Sequence, residues 1–481
     1  MLTNQHVMKE LLKELSIENY RGFFSKQTIH FAVPDRENDG SGLTVIVGQN
    51  NSGKSTIMDV LKKFKPGVEF QKSDRHGKEA IRWELVTSLD QKKTLKTEGG
   101  TKGFVDHPEM KPTEKEIYII PSRRSWNAFF PKASMTKVDY RNAIHRMTSV
   151  DIDSEFGKKM VEIADEPSLK KRFNALMKKA YPYFFDWEIE IDRNQKYINY
   201  SSNGGAEHNS DLFGDGISSL FRICAVLLES SEEEIIIVDE PELSLHPQAQ
   251  KRIAKLLSEY SRRIQIVVIT HSPYFVNWAD LKNGAIVNRL SKRDDVECVA
   301  KHLNHKASYY ETLFKFSESW QQPQLMDIVA KELFFSEAVL FVEGQEDVGL
   351  ITKFCRDNNI DMEFDVFGYG VGGAGNIIHL LSMADDLGIK SGALYDGDKK
   401  SDYEAIVAKY KGKVKIEILK KDDIRDKMKK NPEDGKDSKE VLKEGIFDNS
   451  GNIKEDWSDY LKKLIEEFNT YFTPSSNTHL A

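Results

Sequence analysis

The sequence predicts an α/β protein with two sheet-bearing parts, and three observations lead there. Short continuous apolar runs, LTVIV at 43–47, IIIV at 235–238 and IQIVVIT at 264–270, alternate with stretches of helical period. Strands buried on both faces read this way, so a largely parallel, helix-covered sheet is expected. A second series starts at 338, with AVLFV, FDVFG and GALYD as strands and helices from about 346 and over 376–386. Residues 125–185 interrupt the first series with helical periodicity rich in Lys, Arg and Met, the pattern of an insertion.

Taken in order, residues 12–33 alternate as strands do, through Leu15, Ile17, Phe23, Phe24, Ile29 and Phe31. The run at 43–47 ends in glycine and leads into a helix over 54–64; strands follow at 80–90 and 117–120. After the insertion come a strand region at 187–200, a helix at 217–230, the strand at 235–238, a helix at 247–260 and the strand at 264–270. Residues 300–335 read as a helical connector. A lysine-rich, partly helical tail ends the chain, with 431–439 as a polar loop and TPSSNTHLA as a frayed end. The expected divisions are 1–124, 125–185, 186–300, 301–335 and 336–481. Neither repeats nor sustained heptads occur, which argues against a long coiled-coil arm.

The 481 residues are 39% hydrophobic and 10% aromatic, enough to build cores and to exclude disorder as the main state. With 69 basic against 76 acidic residues the net charge is −7, which excludes a uniformly basic nucleic-acid coat protein but not a local basic groove. No apolar run reaches the roughly 20 residues of a membrane helix. The opening MLTNQHVMKELLKEL carries acids where a secretory signal would be basic and then apolar. Cys224, Cys298 and Cys355 form no CxxC pair. A reducing cytoplasm is the expected location.

GQNNSGKS at 48–55 matches G-x-x-x-x-G-K-S between an apolar strand and a helix. Gly48 and Gly53 allow backbone N–H groups of the loop, Asn50 and Asn51 included, to cradle phosphate oxygens. Lys54 brings positive charge to the terminal phosphates. The Ser55 hydroxyl can ligate Mg2+, and Thr56 follows at the helix N-terminus, whose dipole favours an anion. IIIVDEPELSLHP at 235–247 supplies Asp239, placed to hold Mg2+ through water, and Glu240, placed to orient or deprotonate the attacking water. THS at 270–272 ends the next strand, so His271 is placed to reach a γ-phosphate. A glycine turn, a chance acidic pair and a bland histidine are the alternatives to these three readings.

The order GxxxxGKS, DEPE-x-x-LHP and a strand ending in THSP, with ENYRGF at 18–23, resembles the ABC-type P-loop ATPase head of chromosome-maintenance and DNA-repair ATPases. The resemblance implies ATP as cofactor and two heads closing on it in trans. The signature loop then corresponds to LFGDGISS at 212–219, where Gly214 stands in place of the usual serine while Asp215 and Gly216 are kept. Ser244 to His246 fall where the family's dimer-contact loop lies.

Toward the C-terminus, VLFVEGQED at 339–347 puts Glu343 at a strand end and Asp347 one helical turn on. GALYDGDKK at 392–400 ends another strand with Asp396 and Asp398 on one face. Carboxylates converging in this way repel unless a cation is present, and Mg2+ or Mn2+ suits all-oxygen ligands and phosphodiester chemistry. Solvated loop-end acids are the alternative. GYGVGGAGNIIHLL at 368–381 reads as a tight turn; it opens no dinucleotide fingerprint.

Strand-EG-x-x-D followed by strand-D-x-D resembles a Toprim domain, and the glycine-rich turn is similar to that of OLD-family (overcoming lysogenization defect) nucleases. An ABC-type head with a helical insertion, followed by a smaller α/β Toprim domain with a parallel sheet, is that family's architecture. The resemblance implies Glu343 as base or metal ligand, and Asp347, Asp396 and Asp398 as ligands of Mg2+, with Mn2+ or Ca2+ as alternatives. Glu346 is a substitute ligand, and Lys420 and Lys421 are both candidates for an assisting lysine. Residues 399–443 hold 15 Lys+Arg and 10 Asp+Glu and either guide a nucleic-acid backbone or form a solvated face. SRRSW at 122–126 either senses a ligand or starts the insertion.

The function implied is an ATP-regulated, metal-dependent DNA endonuclease, an antiphage defence effector. It would be a homodimer or higher homo-oligomer through head and insertion, working with an accessory protein or nucleic acid, as in a retron. The competing reading is an ATPase sensor or scaffold that controls a separate effector, with a non-catalytic Toprim-like part.

Overall fold

A computed structural model describes residues 10–64, 70–76, 79–97, 117–122, 149–192, 195–202, 205, 207–209, 214–232, 234–294, 296–317, 328–420, 446 and 453–473. The chain divides into two compact units, Met1–His302 and Leu303–Ala481.

The three apolar runs of the first unit lie side by side. Its six-stranded sheet runs, from edge to edge, Ile117–Ile120, Ile235–Asp239, Gln265–Ile269, Leu43–Gly48, Ile286–Arg293 and Glu297–His302. All neighbours are parallel except the last pair. Leu43–Gly48, Ile235–Asp239 and Gln265–Ile269 are buried along their whole length, which is why no polar alternation marks them. An antiparallel sheet, Gln27–His30, Leu12–Glu18, Arg82–Thr87 and Lys92–Lys96, shares one core with it. Leu15, Ile17 and Trp83 of that sheet join Ile46, Ile237 and Val267 of the parallel one, with Ile57, Val60 and Leu61 of the helix Lys54–Lys63.

Gln265 fastens the two sheets. Fully buried at the start of its strand, it donates through Nε2 to the Leu12 and Ala32 carbonyls, both at 2.7 Å, and accepts from the Leu12 N–H at 2.9 Å. Gln265→Leu strands three buried backbone groups, so a destabilisation of about 3 kcal/mol is expected in urea unfolding. A change under about 1 kcal/mol would show that water or repacking satisfies them.

Helices Ser149–Asp165 and Pro167–Ala180 lead into an antiparallel sheet of Phe184–Asp192, Gln195–Ser202 and Glu207–Asn209. The buried Lys159 ties this region to the helix Asp215–Glu229 through Glu229.

The second unit has a four-stranded, all-parallel sheet in the order Asp365–Val366, Ala338–Val342, Lys390–Tyr395 and Lys415–Ile418. Leu350, Ile351 and Phe354 of the helix Gln345–Asp357 meet Leu461, Leu464 and Phe468 of the helix Glu455–Phe472 over Leu340, Val342 and Leu394. Among the described residues, no helix is long and apolar enough to cross a membrane.

Candidate functional site

The strand Leu43–Gly48 delivers the loop 48–53 to the start of the helix Lys54–Lys63. A side chain at Gly48 would stand 2.2 Å from the Leu290 carbonyl oxygen, so the loop can lie against its neighbouring strand only with glycine there. Asn50, Asn51 and Ser55 are exposed and Thr56 is half-buried. The Thr56 and Ile57 N–H groups bond the Gly53 carbonyl, while the first N–H groups of a helix have no intrahelical partner and suit an anion. Lys54 is buried and donates to the Gly48 and Gln49 carbonyls at 2.8 and 2.5 Å. Burial pulls its pKa down to about 8, against the pull of Glu240, Asp239 and Glu242.

Asp239 is buried at the end of Ile235–Asp239. Glu240 follows with a left-handed φ of 46° and donates its N–H to the Ile269 carbonyl at 2.7 Å. That bond joins the ends of two adjacent strands and brings the Glu240 carboxylate to 3.9 Å from His271 Nε2. Burial, followed by the Lys54 charge, lowers the His271 pKa, so the ring is held neutral and can accept or donate. Lys54, Asp239, Glu240 and His271 thus stand around one loop.

Two residues beyond those picked out in the sequence hold this arrangement. Glu242 accepts the Thr270 hydroxyl at 2.7 Å and the His271 N–H at 2.6 Å. Gln250 accepts from the Ser272 hydroxyl at 2.7 Å and donates to the Leu245 carbonyl at 2.8 Å. Glu242 belongs to DEPE and so carried a motif signal; Gln250, on a helix face, carried none.

The helix Asp215–Glu229 begins at Gly214, and no atom lies within 4 Å of where a Gly214 side chain would stand. At Gly216 the Ser244 carbonyl oxygen would be only 2.5 Å from a side chain, so the signature turn packs on the 244–246 loop of its own chain. Gly214→Ser therefore meets no clash and adds an N-cap hydroxyl worth a few tenths of a kcal/mol. ATP turnover is expected to rise severalfold in this variant; unchanged turnover would mean that the serine position makes no contact with nucleotide. Residues 123–126 and Lys421 lie outside the described residues, as do Leu212 and Phe213.

In the second unit, the strands Ala338–Val342 and Lys390–Tyr395 are parallel neighbours, so Glu343 and Asp396 leave the same end of the sheet. The Asp396 N–H donates to Glu343 Oε1 at 3.0 Å. Asp347 is buried and accepts the Gly344 N–H at 2.7 Å, closing the first turn of its helix. Asp398 pairs with Lys399 at 2.5 Å. Burial raises the Glu343 pKa, Asp398 and Asp402 add to the rise, and Lys399 opposes it. Lys420 lies over the Tyr460 ring at 4.5 Å.

The glycine-rich turn acts as the backing of this site. Gly372 and Gly373 both donate N–H groups to the Glu343 carbonyl at 3.0 Å, and Val371 donates to Val342 at 2.9 Å. Gly370, with φ 80°, lies where a side chain would be 2.6 Å from the Gly344 backbone. Asn376 pins the turn through the Val371 carbonyl at 2.8 Å. The donor set is all oxygen with negative local charge, which suits a divalent cation. Among the described residues no three His, Cys, Asp or Glu side chains are gathered to hold one, because Asp347 and Asp398 face other partners.

Comparison with known proteins agrees with both halves. Residues 8–100 match a family described as AAA domain, and residues 110–277 one described as AAA domain, putative AbiEii toxin, Type IV TA system. Residues 334–398 match the family described as overcoming lysogenization defect protein-like, TOPRIM domain. Endonuclease GajA of Bacillus cereus strain HuB5-5 is 26% identical over 234 residues, 40% of this chain and 33% of that protein. The OLD nuclease of Thermus scotoductus is 27% identical over 166 residues, 34% of this chain and 30% of that protein. Endonuclease GajA of Bacillus cereus strain VD045 is 23% identical over 466 residues, 80% of this chain and 75% of that protein. The chain thus spans about a third of the length of the first two relatives and three quarters of the third. Together the strand-end carboxylates, the phosphate loop and these matches give one chain an AAA/ABC-type ATPase domain followed by an OLD-like Toprim domain.

Proposed function

We propose that the protein is an ATP-regulated, divalent-metal-dependent DNA endonuclease of the OLD type, acting in the cytoplasm in antiphage defence. The observation that carries this reading is Glu343 bonded to the Asp396 backbone at one end of a parallel sheet, in a chain that also groups Lys54, Asp239, Glu240 and His271 around a phosphate loop. The relatives named endonuclease GajA and OLD nuclease support it.

In the head, the loop from Gly48 to Thr56 would hold ATP, with Lys54 at its terminal phosphates, Ser55 as a ligand of Mg2+ and Asp239 holding the ion through water. Glu240 would orient or deprotonate the attacking water, and His271 would reach the γ-phosphate. At the Toprim site Glu343, Asp347, Asp396 and Asp398 would hold Mg2+, with Mn2+ or Ca2+ as alternatives, once Asp347 and Asp398 turn from the Gly344 N–H and Lys399. A cation held there would supply charge neutralisation for the phosphodiester and a more acidic water. Glu343, its pKa raised by burial, is the residue suited to act as base where it is not a metal ligand. Head and insertion assemble the chain as a homodimer or larger oligomer, and an accessory protein or nucleic acid completes the defence system.

Incubating the purified chain with supercoiled plasmid, Mg2+ or Mn2+, and with or without ATP, tests the reading. Nicked or linear product that disappears with chelator is expected. Intact plasmid under every condition, candidate partners included, would leave the sensor or scaffold reading in its place.

A further inference from the structure

The helix Pro167–Ala180 is sharply two-sided. Phe173, Leu176, Met177 and Ala180 form its buried face. Lys170, Lys171, Asn174 and Lys178 fall on the arc that flanks this face, where they line a shallow concavity of about 430 Å3. Lys170, Asn174 and Lys178 are four residues apart, so they place a donor about every 6 Å along the helix axis. The chain then turns back and exposes two large rings, Tyr183 at 64% and Phe185 at 58%. Lys178 Nζ stands 5.5 Å from the Phe185 ring centroid, so the lysine ridge continues into that ring, with Tyr183 two residues before it in the chain. Asp186 is the carboxylate lining the concavity, and it is already engaged by the Asn174 side chain at 2.7 Å, the Trp187 N–H at 2.8 Å and Lys170 at 3.4 Å.

Tyr183 meets the Tyr181 ring edge-on at 5.7 Å and Phe185 lies under Lys178, yet both rings stay more than half exposed. The chain as a whole carries −7, so an attractive field for a polyanion has to come from a local patch such as this one. Bases in a duplex are stacked on one another and cannot cover such rings, whereas unpaired bases can. We propose that this surface binds single-stranded DNA, with Lys170, Lys171 and Lys178 along the backbone and bases stacked on Tyr183 and Phe185. The choice of DNA over RNA rests on the nuclease reading; the single-strand platform itself does not.

The test is fluorescence anisotropy of labelled oligo(dT), with the full chain in chelator so that no cutting occurs, at several salt concentrations. Lys171→Gln with Lys178→Gln is expected to weaken binding at least about tenfold and to make the slope of log affinity against log salt shallower by about 1.4, at about 0.7 per neutralised charge. Tyr183→Ala with Phe185→Ala is expected to weaken binding about tenfold with the salt slope unchanged, the mark of lost stacking. Lys301→Gln, exposed elsewhere on the same unit, is expected to leave affinity unchanged. Unchanged affinity in both double variants overturns the proposal, as does a drop in oligomer mass in the ring variant without loss of DNA binding, which would make this face an interface between copies. Tighter binding of oligo(rU) than oligo(dT) overturns the choice of DNA. Because binding is read without metal, failure of plasmid cutting leaves this measurement intact and separates the two readings.

Discussion

Glu343→Gln is expected to reduce DNA cleavage by at least about 10²-fold, the scale of a lost general base, while ATP hydrolysis continues. The substitution keeps the shape of the side chain and an oxygen that accepts the Asp396 N–H, so the strand ends stay joined. What it removes is a charge that the fold does not favour. Burial raises the Glu343 pKa, with Asp398 and Asp402 nearby adding to the rise. The sign of the linked stability follows. A carboxyl whose folded pKa exceeds its ordinary value loses stability as the pH rises above 4.5 and through the folded value, and is at its most stabilising below both. In chelator, the wild-type thermal midpoint should therefore fall across that window more than that of Glu343→Gln. Lower activity together with equal or higher stability marks a site tuned for chemistry. Asp396→Ala supplies the companion measurement, because the bond to Glu343 comes from the Asp396 backbone and survives. Cutting at wild-type rate in both variants would remove the Toprim site from the reaction.

The parts of this fold that could be read from the sequence are those where burial leaves no choice of residue. Leu43–Gly48, Ile235–Asp239 and Gln265–Ile269 are buried throughout, and their apolar runs announced them. Two strands on one side of the sheet, Ile286–Arg293 and Glu297–His302, were hidden. Ile286–Arg293 reads IVNRLSKR and buries Asn288 and Arg289 among apolar neighbours; Asn288 answers to His30, 258 residues away, through bonds in both directions. No local pattern encodes such a partner, and the same holds for Gln265 with Leu12. The strand expected at FDVFG shrinks to Asp365–Val366 because Gly368 and Gly370 take positive φ and turn the chain onto Gly344. The helix Glu455–Phe472 was read only as part of a lysine-rich, partly helical tail, because charge surrounds its spacing of Leu461, Leu464, Ile465, Phe468 and Phe472. Among the site residues, identity was legible and orientation was not. Motif spacing brought Glu343 and Asp396 to one sheet end, yet whether Asp347 faces a cation or the Gly344 N–H is a rotamer choice that spacing does not contain.

Lys54→Ala is expected to weaken ATP binding by about a hundredfold or more, since it removes a buried, hydrogen-bonded charge from the phosphate site. The buried position also predicts a pH signature. Burial brings the Lys54 pKa down to about 8, so near pH 8 part of the population carries no charge. Phosphates beside the ammonium favour its charged form and raise that pKa, so binding takes up a proton in this range. ATP affinity at constant free Mg2+ should therefore fall as the pH rises from about 7 to 9.5, by no more than about tenfold per unit, the limit for one proton. Lys54→Arg keeps its charge over this range and should bind with little pH dependence even if its longer side chain binds more weakly. Heats of binding measured in two buffers of different ionisation enthalpy count the proton directly. A wild-type affinity as flat with pH as that of the arginine variant would show that Lys54 is fully charged before nucleotide arrives. Unchanged affinity in Lys54→Ala would remove this loop from nucleotide binding altogether.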